Sequence, residues 1–384
     1  MDKDRPIYQK HNSFVGIRSK GTDAQAVLRR IRQMRGEIDR HGLSPEWTQI
    51  VLAACDSLLA GPATGAAPVF DLTVNVVEEM ARLGDDELPR YLFYRYRYDV
   101  FPKTLRLDDF PPCLQIEPTS VCNFRCVFCY QVDEEFTSKA NGHMGMMPLD
   151  LFKRVVDEAE GRCEAVTLAS RGDPLIAPDF AAMLDYCRGK FLALKVNTNA
   201  WILDERKCRA LLEAGVNTVV FSADAASEPL YSQLRVGGNL ERVVKNVRRF
   251  RDIREKHYPG SRTITRVSGV FVDEKQSLDE MEAFWGEMVD QVAFVKYNPW
   301  ENTYENPVND VTTPCSDLWR RMFVWFDGRV NPCDVDFKSA LAVGNAREKS
   351  LADLWRSEGY ERLRALHLAK QRSQAFPCNR CTVI

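Results

Sequence analysis

Between residues 112 and 297 short apolar runs alternate with amphipathic stretches about six times. Strands are expected at residues 113–117, 165–168, 193–197, 218–222, 265–272 and 291–297. Helices are expected between them at 149–160, 179–188, 204–214, 240–257 and 278–289. Each connection is long enough to return the chain in the same direction, so the strands form a parallel sheet. Six such units suit a partial (β/α)6 barrel better than a closed eight-fold one. Reactive groups then belong at the carboxyl ends of the strands.

The flanks have a different rhythm. Helices are expected at residues 23–40, 44–59, 71–83 and 88–98, the second opening on a Ser44 cap with Pro45 in its first turn. Residues 1–20 read as polar and loose, and 61–68 as a Gly/Pro/Ala linker. The aromatic and arginine-rich run from Tyr91 to Tyr98 reads as a surface that docks the helical region onto the rest. Beyond Pro299 the alternation stops. Asp327-Gly328 signals a hairpin joining 322–327 to 329–331, and a helix is expected over 350–368. The expected divisions are a helical region at 1–110, the barrel at 111–300 and a small domain at 301–384.

Composition narrows the class. The 384 residues are 45% hydrophobic with a net charge of -2, which favours neither nucleic acid nor a membrane surface as partner. No run approaches the ~20 apolar residues of a membrane helix, and the first six residues do not resemble a secretion signal. A cytoplasmic location is expected. Twelve cysteines in a reducing compartment point to metal or catalysis rather than disulfides. Cys55, Cys113, Cys163, Cys187 and Cys208 are scattered and read as small core hydrophobes. The other seven fall into two patterned sets.

The first set is Cys122, Cys126 and Cys129, directly after the first expected strand. Three thiolates are one short of a closed four-iron cluster, which leaves one iron open to a ligand. Cys122-x-x-x-Cys126-x-Phe128-Cys129 resembles the signature of the radical S-adenosylmethionine (radical SAM) superfamily, and the likeness runs over residues 112–384. The resemblance implies a [4Fe–4S] cluster on these cysteines with S-adenosylmethionine on the open iron. It also implies a 5′-deoxyadenosyl radical, and an external one-electron reductant such as flavodoxin or ferredoxin. By the same resemblance, Gly172 and Asp173 of Ser170-Arg171-Gly172-Asp173-Pro174 correspond to a Gly-Gly-Glu-Pro stretch that meets the methionyl amino group. Arg171 replaces the first Gly there, and Asp173 replaces Glu. Asn197 and Asn199 in Asn197-Thr198-Asn199, and Ser222 and Asp224 in Ser222-Ala223-Asp224, correspond to ribose contacts. Arg235 corresponds to a carboxylate-binding arginine. A turn or a solvated charge is the competing reading for each.

The second set is Cys315, Cys333, Cys378 and Cys381. A zinc ribbon competes for four thiolates in two blocks. The spacing, with Gly328 before Cys333 and Gly344-Asn345 beyond it, resembles the auxiliary-cluster module known as SPASM in its shortened, one-cluster twitch form. The resemblance implies a second [4Fe–4S] cluster, closed by four cysteines and suited to electron transfer. The expected activity is oxidation of a hydroxylated small molecule (sugar, aminocyclitol or nucleotide sugar) by a dehydrogenase-like radical SAM enzyme. Epimerisation of a sugar, with Cys163, Cys187 or Cys208 as hydrogen donor, and modification of a peptide are the alternatives. Lys296 and Arg266 are candidate catalytic groups, as anion ligands or a desolvated base. Glu117, Tyr130, Gln131, Tyr297, Asn298 and Trp300 are further candidates for the barrel mouth.

Overall fold

The computed structural model describes residues 6–10, 13–61 and 70–384. Residues 62–68 of the expected linker lie outside the described residues. The first element is β1 (Phe14–Ser19), followed by helices α1 (Ala24–Gly36), α2 (Pro45–Ala60), α3 (Val74–Ala81) and α4 (Leu88–Val100). Side-chain oxygens of Asp23, Ser44 and Thr73 accept backbone N–H groups at the starts of α1, α2 and α3. Val27, Ile31 and Met34 of α1 pack with Val51, Ala54 and Leu58 of α2 and Tyr91 and Leu92 of α4 in one hydrophobic cluster. Trp47 stacks on Phe93 with ring centroids 3.8 Å apart.

The remaining strands are β2 (Cys113–Ile116), β3 (Arg125–Cys126), β4 (Ala165–Leu168), β5 (Ala193–Thr198), β6 (Thr218–Ser222) and β7 (Arg235–Val236). They continue as β8 (Ile264–Phe271), β9 (Gln291–Lys296), β10 (Arg321–Val324), β11 (Arg329–Asn331) and β12 (Gly344–Asn345). Ten of them form one sheet in the order β1-β9-β8-β6-β5-β4-β2-β10-β11-β12, while β3 and β7 pair separately. β2, β4, β5, β6, β8 and β9 are parallel to their barrel neighbours. Side chains from all six line one cavity, so the sheet curves into a partial barrel. Outward residues such as Leu114, Val166, Leu194 and Val219 join the helices in the main core.

Three features depart from the sequence expectations. Residues 6–10 and 13–19 are not loose. β1 pairs antiparallel with β9, and Tyr8 pairs with Val383. The six-residue run of β1 supplies the partner that the free edge of β9 otherwise lacks. The 350–368 helix is two helices, Leu351–Trp355 and Glu358–Leu368. Arg364 donates to the Trp355 carbonyl at 2.8 Å, occupying the acceptor that a continuing helix would use. The β10–β11 hairpin does form, but β10 also adds in parallel to β2, so the C-terminal segment extends the barrel sheet.

The helical region closes the amino ends of the strands. Arg90 reaches Glu164 and the Lys190 carbonyl, ahead of β4 and β5. Arg82 donates to the Thr263 carbonyl at 3.1 Å ahead of β8, and Gln291, which opens β9, donates to Glu78. Arg262 pairs with Glu87. Among the described residues no helix is long and apolar enough to cross a membrane.

Candidate active site

A cavity of about 530 Å³ runs the length of the barrel. Strand alternation decides what faces it. In β5, Leu194 and Val196 point outward to the core, while Ala193, Lys195 and Asn197 point inward. Cys122, Cys126, Phe128, Cys129, Gly172, Asp173, Asn197, Asn199, Ser222, Arg235, Arg266 and Lys296 all line this cavity. Asp224 does not. It is fully buried, bonded to Arg235 and accepting the Val270 N–H at 2.6 Å. Its place is behind Arg235, as a positioning residue.

The three-cysteine loop is held from several sides. β3 pairs Cys126 with Arg235 of β7, and the Arg235 guanidinium lies 3.8 Å from Cys126 Sγ. The Phe124 N–H donates to Cys122 Sγ at 3.5 Å, and Asn199 Nδ2 stands 3.9 Å from the same sulfur. Burial pushes the Cys122 thiol up to about 12 and raises Cys126 and Cys129 as well. Three thiolates in this loop therefore need cationic charge beyond Arg235, which an iron cluster supplies. Gly172 is required sterically, because a Cβ there would sit on the backbone of residues 119–121. Asp173 accepts from the Asn199 N–H at 2.7 Å and from Thr198 Oγ1 at 2.9 Å, tying this loop to the end of β5. Gln131 Oε1, Ser170 Oγ and Asn197 Oδ1 are buried, lack partners among the described residues and belong to side chains lining the same cavity. Such orphans fit a polar ligand that completes them.

Arg171 has a role the motif comparison does not reveal. Buried with Glu117, it donates through Nε and Nη2 at 2.7 and 2.6 Å, and through Nη1 to the Phe337 carbonyl at 2.9 Å. Glu117 also accepts the Phe326 N–H at 3.2 Å. This pair fastens the barrel mouth to the C-terminal segment. Glu117 is thus outside the cavity, whereas Tyr130, Gln131, Tyr297, Asn298 and Trp300 line it.

Lys296 and Arg266 lie at opposite ends of the lumen. Lys296, the last residue of β9, is exposed at the rim. Arg266, the third residue of β8, lies at the amino end of the lumen and donates to Gln291 Oε1 at 2.6 Å and Asn75 Oδ1 at 3.0 Å. A guanidinium does not serve as a base. Cys163, Cys187 and Cys208 belong to the core outside the lumen, whereas Cys113 faces the cavity. Lys195, Arg95 and Arg321 also line it. Period-two reading of the barrel strands could have revealed Lys195 and Cys113. Nothing local distinguishes Arg95.

The second cysteine set closes a different space. Cys315, Cys333, Cys378 and Cys381 line one small apolar pocket with Leu318, Val335, Leu341 and Val383. Arg372 donates to the carbonyls of Thr313, Cys378, Cys381 and Val383, knitting the loops that carry the cysteines. His367 Nδ1 accepts the Cys315 N–H at 3.0 Å. Its Nε2 is buried without a partner among the described residues, and the side chain lines the pocket. Burial holds His367 neutral, down to about 3, so Nε2 carries a hydrogen that a bound sulfide or thiolate could accept.

The family model of the radical SAM superfamily matches residues 116–280, and that of an iron–sulfur cluster-binding domain matches residues 315–382. Residues 116–280 thus form a radical SAM superfamily domain. As a radical SAM enzyme the chain uses a [4Fe–4S] cluster, S-adenosylmethionine and an auxiliary iron–sulfur cluster, and the zinc reading of the second cysteine set falls. It is 25% identical over 302 residues to the tungsten-containing aldehyde ferredoxin oxidoreductase cofactor-modifying protein of Pyrococcus furiosus. That match covers 64% of this chain and 81% of the relative. It is 26% identical over 137 residues to mycofactocin maturase MftC of Mycobacterium tuberculosis, covering 36% and 34% of the two chains. The crystal structure of Streptococcus suis SuiB bound to precursor peptide SuiA shares the fold at 16% identity and TM-score 0.53, covering 83% of this chain and 82% of that one.

Proposed function

We propose that this radical SAM enzyme oxidises a hydroxylated small molecule, removing a hydrogen atom, a proton and an electron from a CH–OH group to leave a ketone. The observation that carries the reading is the partition between the two sites. Tyr8 and Trp300 pack against Cys315, Cys333 and Cys381 on one face and line the barrel cavity on the other. Lys10 fills the same wall, bonded to Asp317 at 2.9 Å and to Asp334. An electron acceptor held by the C-terminal cysteines would be one side chain away from a substrate in the lumen. In this reading residues 1–110 are a helical division whose α3 and α4 floor the lumen, 111–300 the barrel and 301–384 the auxiliary-cluster domain.

Cys122, Cys126 and Cys129 would hold the open cluster, and Cys315, Cys333, Cys378 and Cys381 the closed one. When bound, the first with S-adenosylmethionine supplies a hydrogen-abstracting 5′-deoxyadenosyl radical and the second a one-electron acceptor. Around them, Arg235 offers a cation to the methionyl carboxylate and a hydrogen bond to Cys126. Asp173, Asn197, Asn199 and Ser222 shape the polar wall, and Phe128 packs against Arg235 at 5.5 Å. Asn75 and Glu79 of α3, Arg95 and Tyr98 of α4, and Trp300 line the lumen that a substrate would enter. An external reductant of the flavodoxin or ferredoxin type supplies the first electron. The test is anaerobic incubation of the reduced, cluster-loaded enzyme with sugars, aminocyclitols and their phosphates, scoring 5′-deoxyadenosine together with a product lighter by two hydrogens. Substrate-dependent 5′-deoxyadenosine without any such product rejects the reading.

A second reading has its own observation. The Cys113 thiol faces the lumen, where it could return a hydrogen atom and yield an epimer. Solvent deuterium at one product carbon, lost in Cys113→Ala, would select it. Peptide modification is suggested by relatives named as maturases. The closed floor and a cavity of about 530 Å³ favour a small molecule, since drug-sized sites span roughly 300–1,000 Å³.

A further inference from the structure

The amino end of the lumen carries a charge pattern that the radical chemistry leaves unexplained. Four cations line it: Arg95 of α4, Lys195 of β5, Arg266 of β8 and Arg321 of β10. Glu79 of α3 is the carboxylate that lines it with them, and it accepts the Tyr91 hydroxyl at 2.7 Å. Asp99 stands behind Arg95 at 3.1 Å, and Glu78 is bonded to Gln291 and Ser19. Asp317 lies 3.8 Å from Arg321 but is matched by Lys10 at 2.9 Å and Arg320 at 2.5 Å. Four cations thus face the three carboxylates Glu79, Asp99 and Glu78, which leaves the floor one positive charge in excess.

Its donors are also incomplete. The Lys195 ammonium has no hydrogen bond or ion pair among the described residues, whereas Arg95 Nε is ion-paired with Asp99 at 3.1 Å and Arg321 Nη2 donates to the Tyr98 hydroxyl at 2.9 Å. Arg266 donates only to amide oxygens of Gln291 and Asn75. Desolvation pulls Lys195 down to about 8 and Arg266 down to about 10, whereas Arg95 and Arg321 are held up against burial, the first by Asp99 and Glu79 and the second by Tyr98 and Asp317. Three guanidinium groups and an ammonium approach from one helix and three strands. A planar carboxylate offers two oxygens to such a set, whereas a tetrahedral phosphoryl group offers three and carries close to two charges.

We propose that the floor of the barrel binds a phosphoryl group, so that the substrate is a phosphorylated hydroxy compound seated phosphoryl-end down, with its reacting carbon toward the cysteine loop. The inference rests on the small-molecule oxidation above and names the substrate class for it. It also gives α3 and α4 a function, because Glu79 and Arg95 belong to the helical region and complete the site from below.

The test is calorimetric titration of the cluster-loaded protein, in phosphate-free buffer, with inorganic phosphate, pyrophosphate and acetate. Phosphate or pyrophosphate should bind saturably and acetate should not. Tighter pyrophosphate than phosphate points to a nucleotide-type diphosphate, and equal affinity to a phosphomonoester; both support the site. Lys195→Met should weaken binding by about tenfold, the scale of one charged hydrogen bond, and Lys195→Arg should keep it. Far-UV circular dichroism and S-adenosylmethionine binding should be unchanged in both, which separates loss of the site from loss of the fold. Acetate binding as tightly as phosphate, no saturable binding, or equal affinity in Lys195→Met would overturn the proposal. Oxidation of a neutral polyol without phosphate binding breaks this inference and leaves the dehydrogenase reading intact. Phosphate binding without any oxidised product does the reverse.

Discussion

The two cysteine sets of this radical SAM enzyme occupy opposite surroundings. The three near β2 open onto a long polar cavity, with Arg235, Asn199 and several unpartnered oxygens around them. The four near the C-terminal segment close on a small apolar pocket, fenced by Leu318, Val335 and Val383 and laced by Arg372. The difference teaches what each can do. A centre facing polar space can take a ligand and exchange groups with it. A centre sealed among apolar side chains can exchange only electrons with what lies beyond its wall.

Removing one centre at a time is the strongest way to break that contrast. Cys126→Ala should abolish 5′-deoxyadenosine formation and lower bound iron by about half, since each cluster holds four irons, as read by product chromatography and iron analysis. Cys378→Ala should instead uncouple the reaction: 5′-deoxyadenosine persists while oxidised product disappears. Product at wild-type yield in Cys378→Ala would end the division of labour drawn here.

The joint between the two regions offers a smaller but still large effect. Glu117→Ala strands the buried Arg171 cation and should cost about 3–5 kcal/mol in urea unfolding. Adding Arg171→Met should recover part of that loss, because the orphaned charge leaves with it. Smaller again is His367→Phe, which removes the acceptor for the Cys315 N–H and should cost about 1–3 kcal/mol, measured the same way on the loaded protein.

The mildest effect is on pH. Lys195 faces Arg321, Arg266, Cys113 and Glu79, and desolvation lowers it to about 8. Its cationic form is therefore full below that pH and lost above it. Phosphate affinity should be highest below pH 8 and fall as pH rises through a midpoint somewhat above 8, because bound phosphate helps hold the proton. In Lys195→Arg this fall should vanish over the same range, apart from the titration of phosphate itself.

Much of the fold was legible in advance because its elements are locally consistent. The strand–helix alternation from 113 to 296 survives as six parallel strands, and the cap at Ser44 starts the helix that follows it. β1 was missed because six residues of weak alternation mean little until β9 offers an edge. Arg171 looked like a departure from a glycine-rich motif; its ion pair with Glu117 is between residues 54 apart and could not be seen by pattern. Asp224 matched a ribose motif in type and spacing, yet the backbone turns it toward Arg235 and Val270.

The seven patterned cysteines, their order and the kind of barrel that carries them were determined by the sequence alone, because thiolate spacing and apolar periodicity are local properties. Which side chains face the lumen and how thin the wall is between the two centres were decided only in three dimensions. So was the gathering of four distant cations at one end of the barrel. Those facts depend on the curvature of one sheet and on helices docking beneath it, where charges up to 226 residues apart, Arg95 and Arg321, share a buried space whose energy no single segment contains.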